Sequence, residues 1–251
     1  MTFDVAAAAY DRFMGRYSSL LAPQLAEFAG VHSQDSVLDV GCGPGALTAE
    51  LVRRLGVPHV TAIEPSKPFA EAAAARFPGV DVRQAPAEEI PFPDGTFDAA
   101  LAQLVVHFMA DPVKGLAEMK RVTRAGGAVA ACVWDLAGGR APLSPFWQAA
   151  RALSSDVVDE SELAGAREGQ LRGLFDAAGL GGLAESTLEA TVEFASFDEW
   201  WEPFTLGVGP AGAYARSLGA DGLAAVRAHC AASLPPPFRL HVAAWAVRGI
   251  A

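Results

Sequence analysis

Apolar positions in this chain fall into two kinds of run. Short, almost unbroken apolar stretches near residues 36–40, 59–63, 80–84, 97–102 and 126–134 have the length and composition of buried strands. Between them the apolar residues spread out to helical spacing: Leu47, Leu51 and Leu55 recur at i, i+4 and i+8, with Val52 beside them. This alternation continues to about residue 180 and predicts a parallel sheet with helices on both faces. The last helix of the series, near 168–178, places Leu171, Leu174, Phe175 and Ala178 on one face, with Gly179 as its stop. Two further strands are expected near 186–194 and 239–248. In such sheets a ligand sits beyond the carboxyl ends of the strands, so chemistry is expected in the residues that follow each strand.

The most informative of those ends is Val37-Leu38-Asp39-Val40-Gly41-Cys42-Gly43-Pro44-Gly45-Ala46, a strand that runs through three glycines into a helix. A side chain at Gly41, Gly43 or Gly45 would force a poor φ or stand between the backbone and a ligand. Gly41-x-Gly43-x-x-Ala46 fits the dinucleotide fingerprint, and Glu64 is the acid that fingerprint expects after the next strand. The same turn serves an adenosyl ligand equally well. Asp39 separates the two, because its carboxylate would repel a pyrophosphate at short range and attract the sulfonium and ammonium of S-adenosylmethionine.

Val37 to Thr48, VLDVGCGPGALT, resembles the first motif of the class I S-adenosylmethionine-dependent methyltransferases, and Thr61 to Ser66, TAIEPS, is similar to their second. Gln84 to Asp98, QAPAEEIPFPDGTFD, followed by AALAQLVVHFMADP, resembles the third and fourth motif region of the subgroup called methyltransferase type 11. The four motifs stand in order over roughly residues 36–134. The resemblance implies a Rossmann-like, doubly wound α/β fold: a mostly parallel seven-stranded sheet with helices on both faces and lid insertions. It also implies an enzyme that uses S-adenosyl-L-methionine and leaves S-adenosyl-L-homocysteine.

Carried over residue by residue, it puts Gly41 and Gly43 against the methionine part of the cofactor, with Asp39 reaching the ammonium. Glu64 would accept both ribose hydroxyls, Ala87 would offer its N–H to the adenine with Glu88 beside it, and Gln103 would lie under the methionine moiety. One departure is visible. Many relatives read Gly-Asp-Ala before the acidic residue, and this chain reads Ala85-Pro86-Ala87. Proline has no side-chain acceptor for the adenine amino group, which leaves Glu88 or a backbone carbonyl for that role. Tyr10-Asp11-Arg12-Phe13-Met14-Gly15-Arg16-Tyr17 resembles the opening of a bacterial branch of the family, in which a helix and loop close over the cofactor. Arg16 would then meet the methionine carboxylate; the alternative is a surface arginine on an amphipathic helix.

On this reading 1–251 is a single domain, with 1–35 covering the cofactor, 36–134 as the binding core, and 135–166 and 195–238 as lid insertions. Connections that long are functional or disordered, and the second is too apolar for disorder. Phe194 at its border and Phe197, Trp200, Trp201 and Phe204 within it fall in eleven residues. Trp200, Trp201 and Phe204 are candidate walls of a pocket for a planar or greasy small molecule, or packing between lid and sheet. Methyl transfer to an activated sulfonium carbon needs chiefly alignment; where the acceptor must lose a proton, His107, four residues beyond Gln103, is the candidate catalytic base. Its alternative role is packing in the segment after the strand. Asp111 and Glu118 read as a cap and a helix-surface residue.

A formal charge of −10 argues against nucleic acid as partner. Three cysteines without paired spacing suggest buried free thiols, no disulfide framework and no metal site. Asp4, Asp11 and Arg12 interrupt any leader-like apolar stretch, and the longest apolar run is too short for a bilayer, so a cytoplasmic protein with no membrane partner is expected. Low lysine with abundant arginine and alanine suggests a bacterial source. Two rival functions share the glycine turn: a non-catalytic S-adenosylmethionine-binding protein, and an NAD(P)-dependent oxidoreductase. Asp39 opposes the latter.

Overall fold

A computed structural model of the chain describes residues 7–251. The expected covering segment 1–35 is therefore seen from residue 7 onward, and residues 1–6, with Asp4, lie outside the described residues. Seven strands form one sheet: β1 Val37–Val40, β2 Val60–Ile63, β3 Asp81–Arg83, β4 Phe97–Gln103, β5 Thr123–Trp134, β6 Gly181–Phe194 and β7 Phe238–Ile250, in the order β3-β2-β1-β4-β5-β7-β6. The first five run parallel, and β7 is antiparallel to both β5 and β6. This is the expected mostly parallel doubly wound sheet. Every residue of β1 is buried, as a central strand covered on both faces requires.

The chain leaves β1 toward β2 on one side and later returns to place β4 on the other. That reversal between β1 and β4 is the switch point at which open α/β sheets bind ligands. The register sets Asp39 between Ala62 of β2 and Leu101 of β4.

Two strand starts differ from the sequence reading. β5 begins at Thr123 rather than near 126, and β6 at Gly181 rather than near 186. The added segments, Thr123–Ala125 and Gly181–Glu185, are largely exposed, and both adjoin register shifts, so neither carries the apolar signature of a strand. The helix after the glycine turn is Ala46–Leu55, with Leu47, Leu51 and Leu55 buried as their spacing predicts, and the later helix is Gln170–Ala177.

Glutamine side chains tie the N-terminal helix Arg16–Ala29 to the sheet. Gln103 Nε2 donates to Ser18 O at 3.1 Å. On the outer edge of β6, Gln24 Nε2 donates to Glu189 O at 2.8 Å, while Glu189 N donates to Gln24 Oε1 at 3.2 Å. Just before this helix, Asp11–Gly15 forms a π-helical turn that buries Phe13 and Met14.

The two insertions pack on each other. Helix Ser144–Leu153 of the first meets Phe197–Trp201, Gly209–Ser217 and Gly219–Ser233 of the second. Phe146 lies at the centre, stacked on Phe204 at 4.8 Å and close to Trp147, Trp201 and Tyr214. β6 and β7 pair continuously up to Phe194 and Phe238, so the second insertion is a large excursion from what would otherwise be a plain hairpin.

Candidate functional site

The glycine turn is fixed by backbone bonds to the end of β2: Gly41 N and Cys42 N both donate to Ile63 O, at 2.8 and 3.0 Å. Gly41 and Gly45 hold φ of +68° and +98°, and a Cβ at either would collide with Val105 or with the ring of Phe77. Gly43, at φ +53°, faces open space instead. Of the three, it leaves backbone uncovered for a ligand.

Asp39 and Glu64 form the acidic wall. Asp39 is 1% exposed; its Oδ2 accepts from Thr48 Oγ1 at 2.6 Å, and its Oδ1 is buried without a hydrogen bond from the described residues. Burial pushes its carboxyl up to about 7, with the Thr48 bond opposing the rise and nearby Glu64 adding to it. Glu64 takes a backbone N–H on each oxygen, from Gly43 and Ser66, both at 2.9 Å. Burial raises its pKa against those two bonds. It therefore clamps the glycine turn to the β2 end, and each oxygen keeps a second lone pair.

Gln103 ends β4 with Oε1 buried and without a donor among the described residues. Leu104 follows at φ +62°, a left-handed conformation that costs a non-glycine residue roughly 1 kcal/mol or more. Tyr10 comes from the N-terminal segment to this wall: burial and then the charge of Glu64 push its phenol upward, and its ring meets Phe69 at 5.3 Å. Arg76 Nη1 joins the same segment to the turn, reaching Asp11 Oδ2 and Pro44 O at 3.4 Å each.

Several expected site residues sit differently. Ala87 is buried at the rim, but Glu88 Oε1 accepts from Asp111 N at 3.1 Å and so supports the start of helix Pro112–Val122, which Asp111 also caps. Glu118 accepts from Ile90 N and pairs with Arg121, a structural post in line with its helix-surface reading. Arg16, expected at a ligand carboxylate, pairs with Glu199 at 3.1 Å and lies over the Phe194 ring at 5.0 Å. Its partner is 183 residues away in sequence, which no local pattern signals.

His107 lies in the short turn Val106–Phe108 and is buried with Nδ1 unpartnered among the described residues. Burial lowers its pKa to about 3. Burial thus favours the neutral ring, which can accept or donate a hydrogen bond.

Two clefts open beside these groups. The larger, about 440 Å³, is walled by Tyr10, Leu104, His107, Phe108, Trp134 and Glu160, with Val208–Ala211 closing one side. The smaller, about 220 Å³, is lined by Arg12, Arg16, Trp200 and Phe204 among others. Trp200 and Phe204 thus reach a cleft wall, whereas Trp201 lines neither cleft and is packed between Phe146 and Phe197. The sequence reading missed Glu160: it is 4% exposed and bonded to Trp147 Nε1 at 2.8 Å. Its acidic neighbourhood reads as solvated loop, and only the fold brings Trp147 onto it.

Cys42, Cys132 and Cys230 are buried free thiols. Among the described residues no His, Cys, Asp and Glu cluster could hold a metal, and no helix is long and apolar enough to cross a membrane.

A family model described as a methyltransferase domain matches residues 38–131. The malonyl-[acyl-carrier protein] O-methyltransferase of Pseudescherichia vulneris is 33% identical over 232 residues, covering 90% of this chain and 79% of that protein. The 2-methyl-6-phytyl-1,4-hydroquinone methyltransferase 2 of rice chloroplasts is 36% identical over 93 residues, covering 36% of this chain and 27% of its own. This chain spans less than half the length of several of the curated relatives it matches. The crystal structure of the YcgJ protein from Bacillus subtilis superposes with a TM-score of 0.59 at 19% identity, over 94% of this chain and 98% of that one.

Proposed function

Because the chain belongs to the class I S-adenosylmethionine-dependent methyltransferases, we propose that it methylates a small molecule held in the larger cleft. The observation that carries this reading is the pair of buried acceptors without donors, Asp39 Oδ1 and Gln103 Oε1, at the ends of β1 and β4. A buried acceptor left unpaired costs about 1–3 kcal/mol, and an ammonium-bearing ligand relieves it. Glu64, with a free lone pair on each oxygen, suits a pair of ribose hydroxyls, and the open face of Gly43 suits the adjoining chain of the cofactor. The residues present therefore fit S-adenosylmethionine. Bound there, it supplies a methyl carbon activated by the sulfonium and leaves as S-adenosylhomocysteine.

The protein's own contribution is alignment and exclusion of water. Gln103 and the strained Leu104 fix the floor between the strand end and the cleft, and Tyr10 with the π-helical turn covers it. His107, neutral in this wall, is a hydrogen-bonding partner for the acceptor and not a strong base. The insertions 135–166 and 195–238 act as the acceptor-side cover. Ala87 would serve the adenine through its backbone, since Pro86 has no side chain for that edge and Glu88 is engaged by Asp111.

The named relatives are methyltransferases of a malonyl-[acyl-carrier protein] and of a hydroquinone, and the larger cleft bears on which is the better guide. A malonyl carboxylate needs a cation; among the described residues no lysine or arginine lines the larger cleft, and Arg12 and Arg16 line the smaller one. The formal charge of −10 weighs further against an acidic carrier protein or a nucleic acid. Calorimetric titration with S-adenosylmethionine, S-adenosylhomocysteine and NADH tests the reading. Saturable binding of both adenosyl ligands and none of NADH is expected; the reverse would return the glycine turn to a dinucleotide.

A further inference from the structure

Glu160 has no role in holding the cofactor, yet it is among the most deeply buried carboxylates of the chain. Trp147 Nε1, donating at 2.8 Å, fixes one of its oxygens. Arg151, the arginine of the preceding helix, pairs with Asp159 instead. A carboxylate in such a place is normally neutralised or paired with a cation, and burial does push Glu160 up to about 7. The remainder of the cleft wall is apolar and rich in rings, with Tyr10, Phe13, Phe108 and Trp134 around His107. Ring faces attract cations as well as apolar groups.

We propose that Glu160 is the acceptor-recognition residue, and that the acceptor is a small, ring-bearing amine whose ammonium meets the Glu160 carboxylate while its body lies among these aromatic side chains. The inference rests on the methyltransferase reading above and narrows its substrate class. The ammonium is a recognition handle, distinct from the question of which atom takes the methyl group. An acceptor bearing a carboxylate would set a second negative charge against Glu160. A neutral isostere would lose the charge-assisted bond and with it roughly tenfold or more in affinity.

The test uses the full chain saturated with S-adenosylhomocysteine and three probes of one shape: phenethylamine, phenethyl alcohol and phenylacetate. Phenethylamine is expected to bind roughly tenfold or more tighter than the alcohol, with phenylacetate weakest. Glu160→Gln keeps an acceptor for Trp147 and should bring amine and alcohol to near-equal affinity while leaving S-adenosylhomocysteine binding unchanged. Phenylacetate binding best, an amine preference that survives Glu160→Gln, or no probe binding at all would each overturn the inference. If Glu160→Gln does not fold, the order of the three probes on the unaltered protein decides. Loss of S-adenosylhomocysteine binding in that unaltered protein would count against the methyltransferase reading instead.

Discussion

At the ends of β1, β2 and β4, polar groups are carried into the wall by strands and held by short hydrogen bonds: Glu64 by the backbone of Gly43 and Ser66, Asp39 by the Thr48 hydroxyl. The layer formed by residues 135–166 and 195–238 has the opposite construction. There aromatic rings pack on one another, and of its two buried carboxylates Asp135 pairs with Arg140 while Glu160 hangs from Trp147. The first region binds by directional bonds at positions the sheet cannot shift. The second shapes a space whose contour depends on how several rings settle. A fold that must keep one cofactor and can vary its acceptor gains from that division, because loop and insertion changes leave the strand ends untouched.

The contrast can be broken most forcefully at the turn. Gly45→Ala would set a Cβ 2.3 Å from the Phe77 ring at a φ of +98°, and we expect a loss of roughly 2–4 kcal/mol in unfolding free energy, with cofactor binding abolished. Denaturant unfolding and calorimetry read both, and a stable, binding-competent variant would refute the rigid-turn account. Glu64→Ala should come next, weakening S-adenosylhomocysteine by about 1.5–3 kcal/mol; unaltered affinity would take Glu64 out of the ribose role.

The two regions share one property, a carboxyl held near pH 7 by burial, and pH separates them. Asp39 rises from 3.8 and Glu160 from 4.5, both to about 7. A raised folded-state pKa means that the native state holds its proton more tightly than the unfolded chain. The stability from these groups is complete below about pH 4 and declines as pH rises through 7. We expect the ligand-free protein to lose up to a few kcal/mol per group between about pH 4 and 7. Asp39→Asn and Glu160→Gln should each flatten their share of the slope in unfolding titrations, and an unchanged slope in both would contradict the burial argument. The smallest effect is expected for Trp201→Phe, which touches neither cleft. A stability loss of about 1–2 kcal/mol with unchanged cofactor affinity would place it in packing alone, whereas a change in acceptor KM without loss of stability would reinstate it as a pocket wall.

Legibility in the sequence follows the same line. The glycine turn, Asp39 and Glu64 are readable because a strand of four residues followed by three glycines admits few geometries, and the switch point then dictates where they converge. The helix faces at Leu47, Leu51 and Leu55 are readable for the same local reason. Arg16 is not, since Glu199 reaches it only after the whole sheet has formed. Glu160 is hidden by its acidic neighbours, and His107 by the burial that alters its proton affinity. Thr123–Ala125 and Gly181–Glu185 extend the sheet with mostly exposed residues, which leaves no apolar trace in the side-chain pattern.

Strand β6 is 14 residues long and stands at the border of the sheet, with one side of its backbone unpaired by any strand of the described residues. Such a border can recruit extended segments of other molecules. At Glu189 the amide of Gln24 takes both the N–H and the C=O, as a neighbouring strand would. One side chain thereby counterfeits a next strand and interrupts the template near its middle. The helix Arg16–Ala29, which also meets the end of β4 through Gln103, thus shields part of that border, and Gln24→Ala is expected to leave the Glu189 backbone open to other extended chains.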